Sequence, residues 1–70
     1  SSEVRYLQRF LNTHGFPVGT GLGSYGKEVD TFGPVTQATL KKYQLANGIE
    51  GTGYFGNQTR AKINQVLLGE

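Results

Sequence analysis

The 70-residue chain contains no cysteine. That rules out disulfide staples and any thiolate metal site, so its stability must come from its core. A chain this short buries only about 60% of its unfolded surface, which keeps that core small. The chain carries one histidine, His14. A catalytic zinc site commonly needs three protein ligands and a water, so neither a metal nor a cofactor is expected. No run of about 18 apolar residues occurs, and no segment is expected to insert into a membrane. Nothing in the chain has the form of a signal peptide, so any targeting segment would lie outside it. Charge of one sign is also scarce. Seven Lys and Arg against five Asp and Glu leave a net +2, and only Lys41 and Lys42 are adjacent. The long basic stripe of a nucleic-acid binder is missing.

Catalytic groupings are equally thin. A glycosidase needs two carboxylates held across a sugar. Glu28 and Asp30 are the only close pair, and they sit in a glycine-rich stretch that reads as a solvated loop. Ser24 has no flanking nucleophile motif, and His14 is the only histidine base on offer. The glycines form neither GxxxxGK[ST] nor a GxGxxG between a strand and a helix, so no phosphate cradle is indicated. These residues point away from an enzyme.

What the chain does contain is an internal repeat. Phe32-Gly33-Pro34-Val35-Thr36-Gln37-Ala38-Thr39-Leu40 returns 23 positions later as Phe55-Gly56-Asn57-Gln58-Thr59-Arg60-Ala61-Lys62-Ile63, with four identities. A repeat defines a structural unit. Here the unit is an aromatic residue, a glycine, and a helix start with threonine in its first turn.

Three helices follow from periodicity. In residues 3–14, Val4, Leu7 and Leu11 recur at i, i+3 and i+7 with Phe10 beside them. Ser1 or Ser2 is suited to cap this helix, since a hydroxyl accepts from its free first-turn amides. Gly15 fits a left-handed C-terminal cap, and Pro17 bars continuation. The second helix spans 34–47, with Pro34 at its first position, where the missing N–H costs nothing. Thr36, Leu40 and Tyr43 share one face, and Gly48 closes the end. The third helix runs from about 57 to 67 with Thr59, Ile63, Val66 and Leu67 on its apolar side. The end from Leu68 to Glu70 is expected to fray. The expected fold is therefore all-α: a small three-helix bundle in one domain covering residues 1–70, with a core from about 3 to 67. Two glycine-rich loops connect the helices. The first, 15–33, holds six of the eleven glycines. Short β pairing between Thr31-Phe32 and Tyr54-Phe55 is compatible with the pattern but not required by it.

A fainter echo links Val4-Arg5-Tyr6-Leu7-Gln8 with Leu40-Lys41-Lys42-Tyr43-Gln44 at an offset of 36. Each glutamine follows a core residue and precedes a loop rich in backbone amides. A buried glutamine can donate to and accept from such a loop, and buried backbone groups need partners. Gln8 and Gln44 are therefore expected to pin the loops rather than touch a ligand. Thr36 and Thr59 are read as local caps that answer the amide of the preceding glycine. Phe32 and Phe55 read as core plugs.

Candidate ligand contacts are Tyr25, Thr31, Gln37, Tyr54, Asn57 and Gln58, with Asn64 nearby. The tyrosines offer amphipathic rings, and the amides offer donors and acceptors for hydroxyl, N-acetyl or peptide groups. An ordinary polar surface has the same composition.

The order Val4-x-x-Leu7-Gln8-x-x-Leu11, Phe32-Gly33-Pro34-x-Thr36-x-x-x-Leu40-x-x-Tyr43-Gln44, Asn47-Gly48-Ile49 and Gly53-Tyr54-Phe55-Gly56-x-x-Thr59-x-x-x-Ile63 resembles the bacterial peptidoglycan-binding domain 1 family. The likeness covers about residues 3–67. It departs from the family in a longer first loop, in Thr52 where aspartate is frequent, and in Thr39 where alanine is common. The resemblance implies a non-catalytic, monomeric module outside the cytoplasm, extracellular or periplasmic. It would bind peptidoglycan through its glycan or stem peptide and anchor a covalently linked domain such as a wall hydrolase. The competing reading is a structural module that packs against a partner enzyme domain.

Overall fold

The computed structural model describes residues 2–70 and forms three helices. They are α1 (Ser2–Thr13), α2 (Pro34–Ala46) and α3 (Asn57–Leu68), with no strand among the described residues. The expected all-α bundle is what forms, and no β pairing joins Thr31-Phe32 to Tyr54-Phe55. Of the two expected caps of α1, Ser1 lies outside the described residues and Ser2 is already within the helix.

Both C-terminal glycines act as anticipated. Gly15 and Gly48 have φ of 87° and 71°, a region costly for any residue with a Cβ. The residue after each then closes a Schellman turn: Phe16 N–H donates to the Leu11 carbonyl at 2.9 Å, and Ile49 N–H to the Gln44 carbonyl at 2.9 Å. These turns reverse the chain and bring Phe16 onto the core.

The core comprises Leu7, Phe10 and Leu11 of α1, Leu40 and Tyr43 of α2, Ile63 of α3, and Val18 of the first loop. Phe32 and Phe55, the repeated aromatics, are half-buried plugs at its edge together with Phe16 and Val66. Fully burying side chains such as Leu11 and Leu40 contributes roughly 1.5–3 kcal/mol each. The Tyr43 ring is held edge-on by Phe10 and Phe16, with centroids 5.5 and 5.3 Å away.

Two expectations about α-helical faces need correction. Leu67 is expected on the apolar side of α3 but is 44% exposed, while its neighbour Val66 packs against the core. Thr36 and Thr59 are buried, yet their hydroxyls do not cap their own helices; each turns to a glutamine of the preceding helix. Gly33 and Gly56 cap α2 and α3 in extended conformation without any side-chain bond. Thr39, in place of the common alanine, returns its hydroxyl to the Val35 carbonyl at 2.8 Å, so its burial leaves no unpaired donor.

Candidate ligand-binding site

The repeat becomes a pair of equivalent junctions. In the first, Gln8 of α1 donates through Nε2 to the Thr31 carbonyl at 3.1 Å and to Thr36 Oγ1 at 3.0 Å, and its Oε1 accepts from Val29 N–H at 2.7 Å. In the second, Gln44 of α2 donates to the Tyr54 carbonyl at 2.9 Å and to Thr59 Oγ1 at 3.0 Å, and accepts from Gly53 N–H at 2.8 Å. Both glutamines are fully buried. Each ties one helix to the loop that follows it and to the start of the next helix. The reading of Gln8 and Gln44 as loop pins holds.

The second junction presents a polar surface. Thr52, where the family pattern favours aspartate, accepts from Tyr54 N–H through its hydroxyl at 3.1 Å and so sets a tight turn. This turn holds Tyr54 outward, 66% exposed, at the N-terminus of α3. Tyr54, Asn57 and Gln58 line one shallow pocket of about 150 Å³ with Ile49, Glu50 and Thr52; Gln44 and Thr59 form its inner wall. Gln37 lies alongside: its Cγ would stand 2.8 Å from any Cβ at Gly53, so only a glycine permits that approach.

The other candidates are placed differently. Thr31 is exposed, and its carbonyl is committed to Gln8. Tyr25 is 72% exposed in the first loop and lines neither this pocket nor the groove described below. Asn64 faces the α1–α3 groove instead of the loops. Glu28 and Asp30 do not act as a pair. Asp30 meets Arg5 at 3.2 Å, while Glu28 accepts from Gly26 N–H at 3.1 Å and from Asn12 Nδ2 at 3.0 Å. Hydrogen bonding holds the Glu28 carboxyl below its usual range, its own backbone amide first, with the Asn12 amide and the Gly26 amide adding to it.

Asn12 is the organiser that the sequence reading missed. It donates to the Gly23 carbonyl at 2.8 Å and accepts from Val18 N–H at 2.8 Å, which explains how Val18 of the loop enters the core. Its position four residues after Gln8, on the same face of α1, was the available signal.

A larger concavity runs between α1 and α3, with a volume of about 600 Å³. Leu7, Phe10, Phe55 and Ile63 line its depth, with Tyr6 and Leu67 on its rims. Near the start of both helices Arg60 makes a bidentate pair with Glu3 and lies 4.3 Å over the Phe55 ring. The hydrogen bond from Arg60 holds the Glu3 carboxyl below its ordinary range. Beyond the other ends, His14 Nε2 meets Glu70 Oε2 at 2.7 Å. His14 Nδ1 meets the Phe10 carbonyl at 2.7 Å, and its ring stacks on Phe10 at 4.0 Å. A carboxylate and a carbonyl both only accept, so the two ring nitrogens are served best when both are protonated. The bond to Glu70 accordingly raises the His14 pKa, against the effect of burial and with help from the Phe10 carbonyl.

Among the described residues no group of His, Cys, Asp and Glu is arranged to hold a metal ion, and no helix is long and apolar enough to cross a membrane. No curated protein and no solved structure matches the chain. A family model described as "Putative peptidoglycan binding domain" matches residues 1–63. That span takes in both glutamine junctions and the buried face of α3 through Ile63, and the chain belongs to this peptidoglycan-binding family.

Proposed function

We propose that the chain is a non-catalytic module that binds the peptidoglycan of the cell wall and anchors a covalently attached domain there, outside the cytoplasm. Membership of the peptidoglycan-binding family over residues 1–63 is the observation that carries this reading. The proposed contact surface is the loop-and-helix-start region of the sequence expectation: Tyr54, Asn57 and Gln58 around the shallow pocket, Gln37 beside it, and Tyr25 and Thr31 from the first loop. A tyrosine ring would lie against the apolar face of a sugar or peptide, while the amides would take its carbonyl and hydroxyl groups. The shallowness of the pocket predicts weak intrinsic affinity. Tethering to a second domain would raise the local concentration and make such binding effective.

The test is pelleting of the purified chain with insoluble sacculi stripped of teichoic acid, at low and high salt. Retention in high salt supports specific recognition. Binding that disappears with salt would assign it to the net charge of +2. Absence of binding at either salt would favour the second reading, a module that packs on a partner enzyme domain. The uncovered apolar side chains of Tyr6, Leu67 and Leu68 are the feature that speaks for it.

A further inference from the structure

The Asn47-Gly48 pair that ends α2 carries chemistry of its own. The chain has four asparagines, and Asn47 alone is followed by glycine. The side-chain carbonyl carbon of an asparagine is an electrophile close to the next backbone nitrogen. Attack of that nitrogen on Cγ forms an N–C bond, closes a cyclic succinimide and expels ammonia, which carries off the displaced proton. Water then opens the ring at either carbonyl and leaves aspartate or isoaspartate. A glycine in the next position neither crowds the attacking nitrogen nor restricts the backbone. By composition, Asn47 is therefore the most reactive asparagine of the four.

The folded end of α2 opposes this closure. Asn47 has a ψ of 15°, so the Gly48 nitrogen nearly eclipses the residue's own backbone nitrogen. Ring closure requires it to eclipse Cβ instead, a turn of more than a right angle about the Cα–C bond. Gly48 N–H is bonded to the Leu45 carbonyl at 3.3 Å, and Ile49 N–H to the Gln44 carbonyl at 2.9 Å. The required turn breaks both. The electrophile is held as well, because Asn47 Nδ2 donates to the Tyr43 carbonyl at 2.8 Å. Asn47 is only half-buried and Gly48 is exposed. Water reaches the pair, so geometry protects it rather than burial.

The products do not fit the place where they form. An aspartate carboxylate only accepts, and it would stand against the Tyr43 carbonyl, at the negative end of the helix dipole. Isoaspartate adds a methylene to the main chain just ahead of Gly48, whose φ of 71° closes the turn. Either change loosens the turn that follows Gln44, the pin of the second loop.

We propose that Asn47 is a self-modification site: the folded end of α2 holds back its cyclisation, opening of that end releases it, and the aspartate or isoaspartate formed weakens the turn irreversibly.

The experiment incubates the whole chain at mildly alkaline pH, once in native buffer and once in guanidinium chloride. Intact-mass spectrometry follows the replacement of the amide by a carboxyl group, and peptide mapping locates it and separates aspartate from isoaspartate. Asn47 is expected to convert first in the denatured chain. In the native chain it should convert at least about tenfold more slowly, because conversion waits on local opening. Asn47→Gln, which would have to close a larger ring, should abolish the early mass gain in both solvents. Equal native and denatured rates would overturn the protection. Earlier conversion at Asn12, Asn57 or Asn64 in the denatured chain would overturn the site. Chain converted in denaturant, separated by ion exchange and refolded should melt below the unconverted fraction of the same sample; equal melting temperatures would overturn the weakening of the turn.

Discussion

Replacing Tyr43 by phenylalanine should stabilise this domain. The Tyr43 ring is 3% exposed and wedged edge-on between Phe10 and Phe16. Its hydroxyl is the one buried side-chain polar atom among the described residues without a hydrogen-bond partner. Burial alone also pushes its pKa up, as expected of a phenol taken out of water without a compensating donor. A buried polar group left unpaired costs about 1–3 kcal/mol. Removing the oxygen opens a void of roughly 10–15 Å³, which costs only about 0.3 kcal/mol at 24 cal/mol per Å³. The net gain is about 1–2 kcal/mol. For a domain of this size each kcal/mol moves the melting temperature by about 4–8 °C, so Tyr43→Phe should melt roughly 5–15 °C higher. Thermal unfolding followed by circular dichroism, with urea titration as a second probe, gives the number directly. An unchanged or lowered melting temperature would refute the reasoning, because it would mean that the hydroxyl has a partner in solution, such as a buried water.

The same logic with opposite sign applies to Gln44→Leu. It strips partners from Gly53 N–H, the Tyr54 carbonyl and Thr59 Oγ1. The cost should be about 2–4 kcal/mol, a large share of a total of order 5 kcal/mol; urea unfolding measures it, and hydrogen exchange should localise the loosening to residues 50–59. For His14 the raised pKa fixes the direction of the pH dependence. Its contribution is fully present below the unfolded value of about 6.5 and is lost as pH rises through the higher folded value. The stability difference between wild type and His14→Gln should therefore shrink as the pH rises from about 6 through the raised folded pKa; a difference that grows with pH there would contradict the bond to Glu70. Tyr54→Ala should weaken pelleting with sacculi while the helical signal stays intact, and Tyr25→Ala tests independently whether the first loop takes part. Retention equal to wild type would remove the substituted tyrosine from the contact surface.

Much of the fold was legible because its signals are local. Apolar spacing placed three helices to within a residue or two. Glycines at 15 and 48 announced their ends, since only a residue without Cβ enters the left-handed turn cheaply. The glutamine echo was legible for a related reason: a buried amide between a helix and a glycine loop has few uses other than satisfying that loop. Thr36 and Thr59 show where this reasoning stops. Their position suggested a cap within their own helix, but the nearby glutamine amide, distant in sequence, claims the hydroxyl. Val18 and Asn12 illustrate the same limit, because a loop valine enters the core only once an amide four residues beyond Gln8 has folded the loop over it.

The candidate site divides in the same way. Tyr54, Asn57 and Gln58 are close in the chain, and one tight turn at Thr52 suffices to gather them around a pocket. Tyr25 and Thr31 lie across a long loop, and nothing local could settle whether they join that group. By itself the sequence determined the helices, their glycine ends, the two glutamine pins and the family, all of which depend on spacing within a few turns or on a repeat. Only the tertiary structure decided that α1 and α3 run in parallel, joined by pairs 57 and 56 residues apart, and that a charged-ended apolar groove lies between them. Periodicity identifies which face of a helix is apolar. What covers that face, or leaves Leu67 open, depends on how α2 returns the chain and sets α3 beside α1.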